Sequence, residues 1–500
     1  MKKKVIFWCD ASQIHYGLAK KFFETSNFDI YGIFDIPYKQ QGFFRTEEIA
    51  GFKKKWFLHD SIHEEMVKRE KPDIDYLKEF ERKYGINLWL LAYNERLFFR
   101  YYSYKKFSEN EVLRILEYEC KLFEEILKEI NPDMLCIITT THQSQLFYEI
   151  CKAKKIKILL LYSVRLKKRV QIGTDPYRLH VTNEVDEKLK LRTTKELQEF
   201  LEEDVLYNQA RKYVSGFSNS KTLIFKAAKE FLFSPNTIEK THFTYFGRTK
   251  IRVLFNSILD KIHVRQRTNY INKHFVKKIN EEDDFIFFPL QQDPERTLLI
   301  DAPYKTNQLE VIRNIVQSLP IGKKLYVKEH ISQITRNWRD IEFYQELENM
   351  PNVVLIHPSI KPSEIFKKCD MVITINSTAA FECLFYNKRS IVLVNTIFSE
   401  LTSVDVVKDL SKLPNVIRDL LEKDVDLDEV NKFVNKIEKN SFEFDWNGIS
   451  KSAVEQLYLG GNLVDREINE NQMEYFLKNE NENFTYLANE FFKKINMDED

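Results

Sequence analysis

The chain has 500 residues, of which 43% are hydrophobic and 30% are charged, with 39 Phe and 24 Tyr against only 12 Gly. This composition excludes the collagen-like, linker-rich and disordered classes, and the length predicts two domains. The 76 Lys and Arg residues nearly balance the 75 Asp and Glu residues, so the overall charge does not favour a nucleic-acid partner. We therefore expect a soluble globular protein.

The cysteines predict the cellular compartment, and the apolar runs show whether a secretion signal or a transmembrane segment is expected. The six cysteines form no C-x-x-C pair and lie mostly inside apolar runs, which predicts reduced thiols in the cytoplasm and no zinc site. Lys2 to Lys4 precede the apolar run Val5 to Trp8, but Asp10 ends that run too early for a secretion signal. Because no uncharged apolar stretch reaches about 18 residues, we expect no transmembrane segment.

The first part of the chain alternates strand and helix patterns. We interpret residues 1–182 as an N-terminal Rossmann-like domain, because β-α-β alternation favours a parallel sheet covered by helices. The run Asn87 to Tyr93 is interpreted as a further strand. The clearest predicted elements are strand Val5 to Cys9, helix Gln13 to Phe23, helix Glu109 to Ile130, strand Met134 to Thr139, helix Gln143 to Lys154 and strand Ile156 to Leu161.

A second alternating series begins at Phe285, and we interpret residues 283–459 as a C-terminal Rossmann-like domain. Residues 183–282 are predicted to form a Lys-rich helical insertion or connector, and residues 460–500 a helical tail. The fold class is therefore α/β, with two Rossmann-like domains facing a cleft. Ligands of such sheets bind beyond the carboxyl ends of the strands. The predicted strands of this series are Phe285 to Leu290, Lys324 to Lys328, Val353 to His357, Met371 to Ile375 and Ser390 to Val394.

The residues after strand Met371 to Ile375 are candidates for nucleotide binding. Asn376, Ser377 and Thr378 stand where a helix begins, and small polar residues there leave backbone N–H groups open to an anion. Without context, a helix cap is the more frequent role of Ser or Thr at such a position. Glu382 lies one helical turn beyond Thr378, where a carboxylate can accept both hydroxyls of a ribose. This pairing favours a nucleotide site.

Two further segments follow strands of the same sheet. Lys328, Glu329 and His330 end the strand from Lys324, and His330 or Lys328 would neutralise a phosphate leaving group. A surface ion pair is the ordinary alternative. Gln292, Asp293 and Glu295 follow the first strand in a loop with two prolines and are predicted to project into the cleft, with Glu295 as a candidate catalytic residue. The alternative there is an ordinary strand exit.

Taken together, these segments resemble the bacterial capsule polysaccharide biosynthesis family, which includes the capsular Kdo transferases. The resemblance covers roughly Phe285 to Thr396. It implies a GT-B fold, a CMP-activated sugar donor and a cytoplasmic glycosyltransferase acting on surface polysaccharide precursors at the inner face of the membrane. The segments are Pro289 to Glu295, Ser318 to Pro320, Leu325 to His330, Pro351 to Val353 and Thr374 to Glu382.

The N-terminal domain is expected to bind the acceptor and to supply a catalytic base. Asp10, at the end of the first strand, is the first candidate, although a carboxylate there is as often a helix cap. His142, which follows strand Met134 to Thr139, is the second candidate because imidazole titrates near neutral pH.

Basic residues cluster in the helical region and after one strand, at 165–169. Most such runs are solvated faces. The alternative is a surface that contacts anionic lipid or a lipid-phosphate acceptor. This alternative is consistent with the helical spacing, beside the charges, of the apolar residues Phe255, Ile258, Leu259 and Ile262. Nucleic acid is not expected, because no aromatic and basic recognition motif accompanies the patch. The basic residues of the helical region are Arg248, Lys250, Arg252, Lys261, Arg265, Arg267, Lys273, Lys277 and Lys278.

The functional hypothesis is a GT-B-like glycosyltransferase that transfers Kdo or another acidic sugar to a glycan or lipid-linked primer. Lys328, Glu329 and His330 would act with the nucleotide-binding residues 376–378 and 382. We identify no Asp-x-Asp motif of the kind typical of metal-dependent transferases, so neither a metal nor a cofactor beyond the nucleotide-sugar substrate is expected. The alternatives are a polyol-phosphate transferase with a CDP-activated donor and a non-catalytic scaffold subunit of a polysaccharide assembly complex.

Overall fold

The computed structural model describes residues 2–60, 62, 71–100, 104–181, 190–202, 220–235, 246–330, 333 and 339–497. This part of the chain forms two β-sheets covered by helices. The strands are β1 (Lys4–Asp10), β2 (Asp29–Asp35), β3 (Phe52–Phe57), β4 (Met134–Ile137), β5 (Lys157–Ser163), β6 (Arg169–Gly173), β7 (Phe285–Pro289), β8 (Lys324–Lys328), β9 (Val353–Ile356), β10 (Met371–Thr374), β11 (Ser390–Val392), β12 (Val404–Val406) and β13 (Phe442–Glu443).

The helices lie between and after these strands. Of the described helices, nine precede β7 and ten follow it. They are α1 (Ile14–Thr25), α2 (Gln41–Thr46), α3 (Ile74–Tyr84), α4 (Leu88–Asn94), α5 (Glu109–Ile130), α6 (His142–Ala153), α7 (Thr194–Glu202), α8 (Lys221–Phe233), α9 (Lys250–His274), α10 (Arg296–Leu299), α11 (Gln308–Ser318), α12 (Ile341–Glu348), α13 (Pro362–Phe366), α14 (Ala379–Glu382), α15 (Leu413–Leu421), α16 (Leu427–Asn440), α17 (Trp446–Leu457), α18 (Glu470–Asn479) and α19 (Asn481–Met497).

The first sheet has seven strands in the order β13-β6-β5-β4-β1-β2-β3. The five strands from β5 to β3 are parallel, whereas β6 runs antiparallel to β5 and β13 antiparallel to β6. The central strand β1 is apolar from Val5 to Cys9 because helices cover both of its faces. Val5 and Phe7 enter one hydrophobic core, and Ile6 and Trp8 enter the other. The predicted parallel sheet in this half is confirmed.

The second sheet has six strands, all parallel, in the order β12-β11-β10-β7-β8-β9. Strands β7 to β11 occur where the sequence predicts them, whereas β12 was not predicted. The core of this domain is built from the apolar residues of β7, β8 and β10 with α11 and α15. The α/β class with two Rossmann-like domains is therefore confirmed. At their carboxyl ends the two sheets face each other, and side chains from both domains meet there.

The end of the chain returns to the first domain. Strand β13 pairs with β6, and helices α17 to α19 pack into the core on one face of the first sheet. Gly17 on α1 allows this packing, because an added Cβ would lie 2.4 Å from the Phe484 ring. The predicted C-terminal domain extends to residue 459, but residues 442–457 pack with the first domain. A two-residue strand carries too little sequence signal to show this return.

One predicted strand is a helix. Residues Leu88–Asn94 form α4, and the Asn87 side chain caps it by accepting a hydrogen bond from the Leu90 N–H at 2.8 Å. An apolar run of this length is compatible with either a strand or a helix, and the Asn87 cap favours the helix. Among the described helices, none is both long enough and apolar enough to cross a membrane.

The helical region predicted for residues 183–282 is described only in part, and residues 182–189, 203–219 and 236–245 lie outside the described residues. The described part contains α7, α8 and α9. Helix α9 ends against the second domain, where Ile271 and Phe275 enter its core. At its other end, the Lys250 ammonium donates to the carbonyl oxygens of Leu232 and Ser234 at 2.7 and 2.6 Å.

Candidate functional site

Lys328 lies at the carboxyl end of β8, inside the edge where the two domains meet. Its side chain is buried, and this burial lowers the pKa of the ammonium group to about 8, while the carboxylates of Glu382 and Glu364 act in the opposite direction. The Lys328 ammonium group thus lies near the carboxylates of Glu382 and Glu364 at the carboxyl end of β8. Its role in phosphate binding stays a prediction.

Ser377, Thr378 and Glu382 surround the start of α14, as the sequence predicts. The Ser377 hydroxyl accepts a hydrogen bond from the Ala379 N–H at 3.2 Å, so it acts as a local cap. The Thr378 hydroxyl donates to the Glu382 carboxylate at 2.5 Å. Burial raises the pKa of Glu382, and the Thr378 hydrogen bond and the Lys328 charge oppose that shift. The structure thus brings Lys328, Thr378 and Glu382 into one cluster.

Glu329 differs from its predicted role in nucleotide binding. Its side chain is buried and accepts two hydrogen bonds from Arg339, at 2.7 and 2.6 Å, and a third from the Tyr344 hydroxyl. It also accepts from the backbone N–H of His330 at 2.7 Å. The carboxylate is satisfied from inside the domain, so Glu329 positions His330 and the end of β8 and does not face a ligand.

The loop after β7 also differs from expectation in part. Gln292 and Asp293 are buried, and Asp293 accepts from Arg339 at 2.8 Å and from Gln308 at 2.6 Å. Asp293 therefore belongs to the same buried network as Glu329 through one oxygen, while its other oxygen faces the first domain, where Arg100 donates to it at 3.5 Å. Glu295 is exposed at the position that precedes α10. Its catalytic role stays a prediction.

Asp301 joins the two domains next to the residues predicted to bind the nucleotide. From the first domain, the Tyr177 hydroxyl donates to it at 2.8 Å. From the second domain, Arg296 donates to it at 2.5 Å and the Asn376 amide at 3.2 Å. The Asp301 side chain is 1% exposed, so these bonds form away from solvent. Asn376 is thereby held by a carboxylate that both domains contact.

Arg165 makes the most direct contact across the cleft. It follows β5 of the first sheet and donates to the Asn376 backbone carbonyl at 2.9 Å and to its side-chain oxygen at 2.6 Å. Arg296 reaches the other way and donates to the Thr139 hydroxyl, beyond β4, at 3.0 Å. Two guanidinium groups thus lie beside the residues that follow β10. The sequence analysis named the run 165–169 only as a basic patch.

The carboxyl edge of the first sheet carries two aspartates. Asp10 ends β1 and Asp35 ends β2, in register with one another. The Ser12 N–H and hydroxyl donate to Asp10 at 3.0 and 2.5 Å, and burial raises the pKa of Asp10. Asp35 contacts His59 at 3.0 Å and the Thr141 hydroxyl at 3.3 Å. Asp10 thus lies at the carboxyl end of β1, as the sequence predicts, and caps the turn that follows it; its role as a base stays a prediction.

Asp35 and His59 were missed by the sequence analysis. The rule that selected Asp10, a carboxylate at the end of a buried strand, applies equally to Asp35 at the end of β2. His59 carries no such signal, because only the fold brings it to Asp35.

His142 is not placed to act as a base. Its ring is fully buried at the start of α6, with Nδ1 at 2.8 Å from Glu95 and Nε2 at 3.0 Å from Glu119. Burial alone would lower the pKa of His142, but Glu119 and Glu95 raise it to about 10. An enclosed imidazolium cannot take a proton from an acceptor. The preceding residue, Thr141, is the one that reaches the site.

The described residues contain no group of three His, Cys, Asp or Glu side chains that could hold a metal ion. Metal-independent chemistry stays a prediction. All six cysteines are buried thiols.

Comparison with known proteins agrees with the resemblance stated from the sequence. Residues 197–402, about two fifths of the chain, match the profile described as "Capsule polysaccharide biosynthesis protein". The matched range contains the ends of β7, β8 and β10, so the resemblance to this family is confirmed over the region that carries the proposed nucleotide site. No curated protein sequence matches the chain.

Several solved structures resemble this chain at low identity. The UDP-GlcNAc 2-epimerase of Methanocaldococcus jannaschii is 12% identical, with 88% of this chain and 99% of that chain covered and a TM-score of 0.25. The β-Kdo 2,7-transferase KpsC of Thermosulfurimonas dismutans is 9% identical, with 72% and 89% covered and a TM-score of 0.31. The assignment of a GT-B-like fold rests on the two facing parallel sheets and on the family match.

The buried His142 cluster generates a stability test. Because the folded pKa of about 10 exceeds the ordinary value of 6.5, the cluster stabilises the protein fully below pH 6.5 and loses this contribution as pH rises through 10. Replacing Glu119 by Gln should lower the free energy of unfolding at pH 6 by about 3 kcal/mol. It should also flatten the pH dependence between 6 and 10, as measured by urea unfolding.

Glu125→Gln, on the exposed face of α5, is the matched control and should leave the unfolding curve unchanged. If Glu119→Gln follows the same pH dependence as the original protein, the charged state assigned to His142 is wrong.

The depressed pKa of Lys328 generates a second test. If its ammonium group attracts the donor phosphate, nucleotide affinity should fall as pH rises through about 8, because the side chain loses its charge there. Lys328→Arg keeps a cation throughout this range and should retain affinity at pH 9. Titration calorimetry with the best-binding nucleotide at pH 7, 8 and 9 measures this. A parallel loss of affinity in both proteins would assign the pH effect to another group.

Proposed function

We propose that this protein is a glycosyltransferase of capsule or other surface polysaccharide biosynthesis. It transfers a sugar, Kdo or a similar acidic sugar from a CMP donor, to a glycan or a lipid-linked acceptor. The observation that carries the proposal is the contact of Arg165 with Asn376, because it brings the family-matched segment of the second domain against the carboxyl edge of the first. A transferase needs this arrangement, since its two substrates bind to different domains.

The donor side lies in the second domain. Transfer breaks the bond between the anomeric carbon and the phosphate oxygen, and the electron pair leaves with the nucleotide monophosphate. Lys328 and His330 at the end of β8 stabilise the charge that develops on this oxygen. The hydroxyls of Ser377 and Thr378 are the candidate phosphate ligands, and Glu382 is the candidate acceptor for the ribose hydroxyls. Protein cations take the place that a metal would have, so the reaction is proposed to be metal-independent.

The acceptor side lies in the first domain. The acceptor hydroxyl attacks the anomeric carbon and loses its proton, and Asp10 is proposed to receive it. Burial raises the pKa of Asp10, which makes it a better base than an exposed carboxylate, and the neighbouring Asp35 charge adds to this shift. His59 and Thr141 hold the Asp35 carboxylate, so Asp35 is placed to orient the acceptor or to sustain the basicity of Asp10.

We place the protein in the cytoplasm, at the inner face of the membrane, where nucleotide sugars and lipid-linked primers meet. The support is indirect and comes from the six buried thiols and from the resemblance to capsule polysaccharide biosynthesis.

The donor assignment is tested by a thermal-shift and calorimetric screen against CMP, CDP, UDP, GDP and ADP. We expect CMP to raise the melting temperature most, because a ligand of the native state stabilises it. Glu382→Gln should weaken CMP binding about a hundred-fold, since two hydrogen bonds to a charged acceptor are weakened. Glu422→Gln, an exposed carboxylate on the same domain, is the matched control.

Each outcome has a distinct meaning. Preference for CDP favours the polyol-phosphate transferase, and preference for UDP or GDP keeps the transferase but discards the CMP donor. No response to any nucleotide would overturn the proposal in favour of a non-catalytic scaffold subunit.

The base assignment is tested by kinetics. Asp10→Asn should reduce kcat by at least about a hundred-fold, while CMP affinity stays unchanged, because the residue acts on the acceptor only. Asp29→Asn, at the opposite end of the neighbouring strand β2, is the control and should leave kcat unaltered. Full activity of Asp10→Asn combined with an inactive Asp35→Asn would move the base to Asp35.

A further inference from the structure

Helix α9 presents an apolar stripe to solvent. Ile251 is 83% exposed, Phe255 59%, Ile258 60% and Ile262 46%. Their spacing of four, three and four residues places them on one face of the helix, over a length of about 16 Å. Large apolar side chains aligned in this way on a soluble surface mark a site of interaction, whereas single exposed ones do not.

Basic residues border this stripe. Lys261 and Arg265 are exposed and lie on one flank, within about 100° of the stripe axis on the helical wheel, and Arg252 lies on the other flank. The only acidic residue in the sequence of α9, Asp260, falls on the opposite face. An apolar strip between two basic margins is the pattern of a helix that lies in the interface of an anionic bilayer.

Helix α8 adds exposed aromatic side chains beside α9. The Lys250 bonds to the carbonyls of Leu232 and Ser234 place the end of α8 beside the start of the stripe. Phe233 at this junction is 81% exposed, and Phe225, two turns earlier, is 73% exposed. We call the surface formed by Phe225, Phe233, Ile251, Phe255, Ile258 and Ile262 the α8–α9 face.

The α8–α9 face adjoins the acceptor side of the first domain. Lys39, four residues beyond Asp35, donates to the Ser234 hydroxyl at 2.9 Å. Glu230 of α8 is paired with Arg466 at 2.9 and 3.1 Å. These contacts fix α8 next to the loop that follows β2, at the edge where Asp10 and Asp35 lie. A lipid-linked acceptor held at this face would therefore be close to the proposed base.

We propose that the α8–α9 face docks the protein on an anionic lipid bilayer. A second copy of the chain is the less favourable occupant, because in an antiparallel pair each flank of the stripe would meet the same flank of the copy, and both flanks are basic. The anionic surface neutralises these charges instead, and the interfacial region accepts the Phe and Ile side chains. Only the link to a lipid-linked acceptor rests on the proposed function; lipid binding itself does not.

The test uses the full-length protein and vesicles in sedimentation, without any donor or acceptor. We expect the protein to sediment with vesicles of equal parts phosphatidylglycerol and phosphatidylcholine, but not with phosphatidylcholine alone. Binding should weaken as the salt concentration rises, because the basic margins are exposed. The variant Ile251→Ser/Phe255→Ser/Ile258→Ser should partition at least about ten-fold less.

Two controls keep the result interpretable. Ile321→Ser removes a fully exposed isoleucine from the second domain and should bind vesicles as the original protein does. Lys261→Ser/Arg265→Ser should lose the preference for phosphatidylglycerol. The melting temperature of each variant, measured without any ligand, checks that the fold is intact.

Three results would overturn the inference: absence of vesicle binding by the original protein, unchanged binding by the stripe variant, or a dimer in sedimentation velocity that the stripe variant converts to a monomer. A failure of the glycosyltransferase proposal leaves this measurement unaffected, because vesicle binding is measured without turnover. Conversely, a protein that transfers sugar to a soluble acceptor but ignores vesicles would retain the proposed function and lose the docking surface.

Discussion

The carboxylate of Asp301 is the point on which the geometry of the site depends. It is buried, and it accepts hydrogen bonds from Tyr177 of the first domain and from Arg296 and Asn376 of the second. A buried carboxylate must be compensated by donors, because an unpaired charge in the interior is strongly unfavourable. The two domains can satisfy it together only if their carboxyl edges stay in contact. The position of Asn376, and with it the start of α14, follows from this requirement.

A second set of buried charges supports the same edge from inside. Glu329, Asp293 and Arg339 form a buried network beneath the ends of β7 and β8. Such networks add little net stability, since desolvation offsets the attraction between the charges. Their effect is geometric: with Glu329 bonded to Arg339 and to the His330 N–H, the end of β8 has one arrangement. The groups proposed to act on the phosphate are thus held by residues that never touch it.

How well the sequence predicts a feature of this protein depends on how far apart in sequence the interacting residues lie. Parallel strands buried on both faces read as continuous apolar runs, so both sheets and the residues that end their strands were predictable. Asp10, Lys328 and Thr378 were found in this way. Glu329 and His142 were predicted to face the cleft, but both are buried. Their charged partners, Arg339 for Glu329 and Glu95 and Glu119 for His142, are distant in sequence, so the sequence does not show that these polar residues are buried. The helix α4 was misread for a local reason, since its Asn87 cap outweighed an apolar run of strand length.

Helix α9 connects the surface proposed to dock on the bilayer with the donor side of the second domain. Its 25 residues form one continuous helix of about 37 Å. At one end it contacts α8 beside the first domain, and at the other the Arg267 guanidinium donates to the Arg339 carbonyl at 3.0 Å, within the network that holds Glu329. A single rigid element therefore carries the exposed apolar stripe and reaches the support of the donor side. A bilayer that orients this helix would orient both carboxyl edges with it, so a surface-bound acceptor would meet the donor in one defined direction.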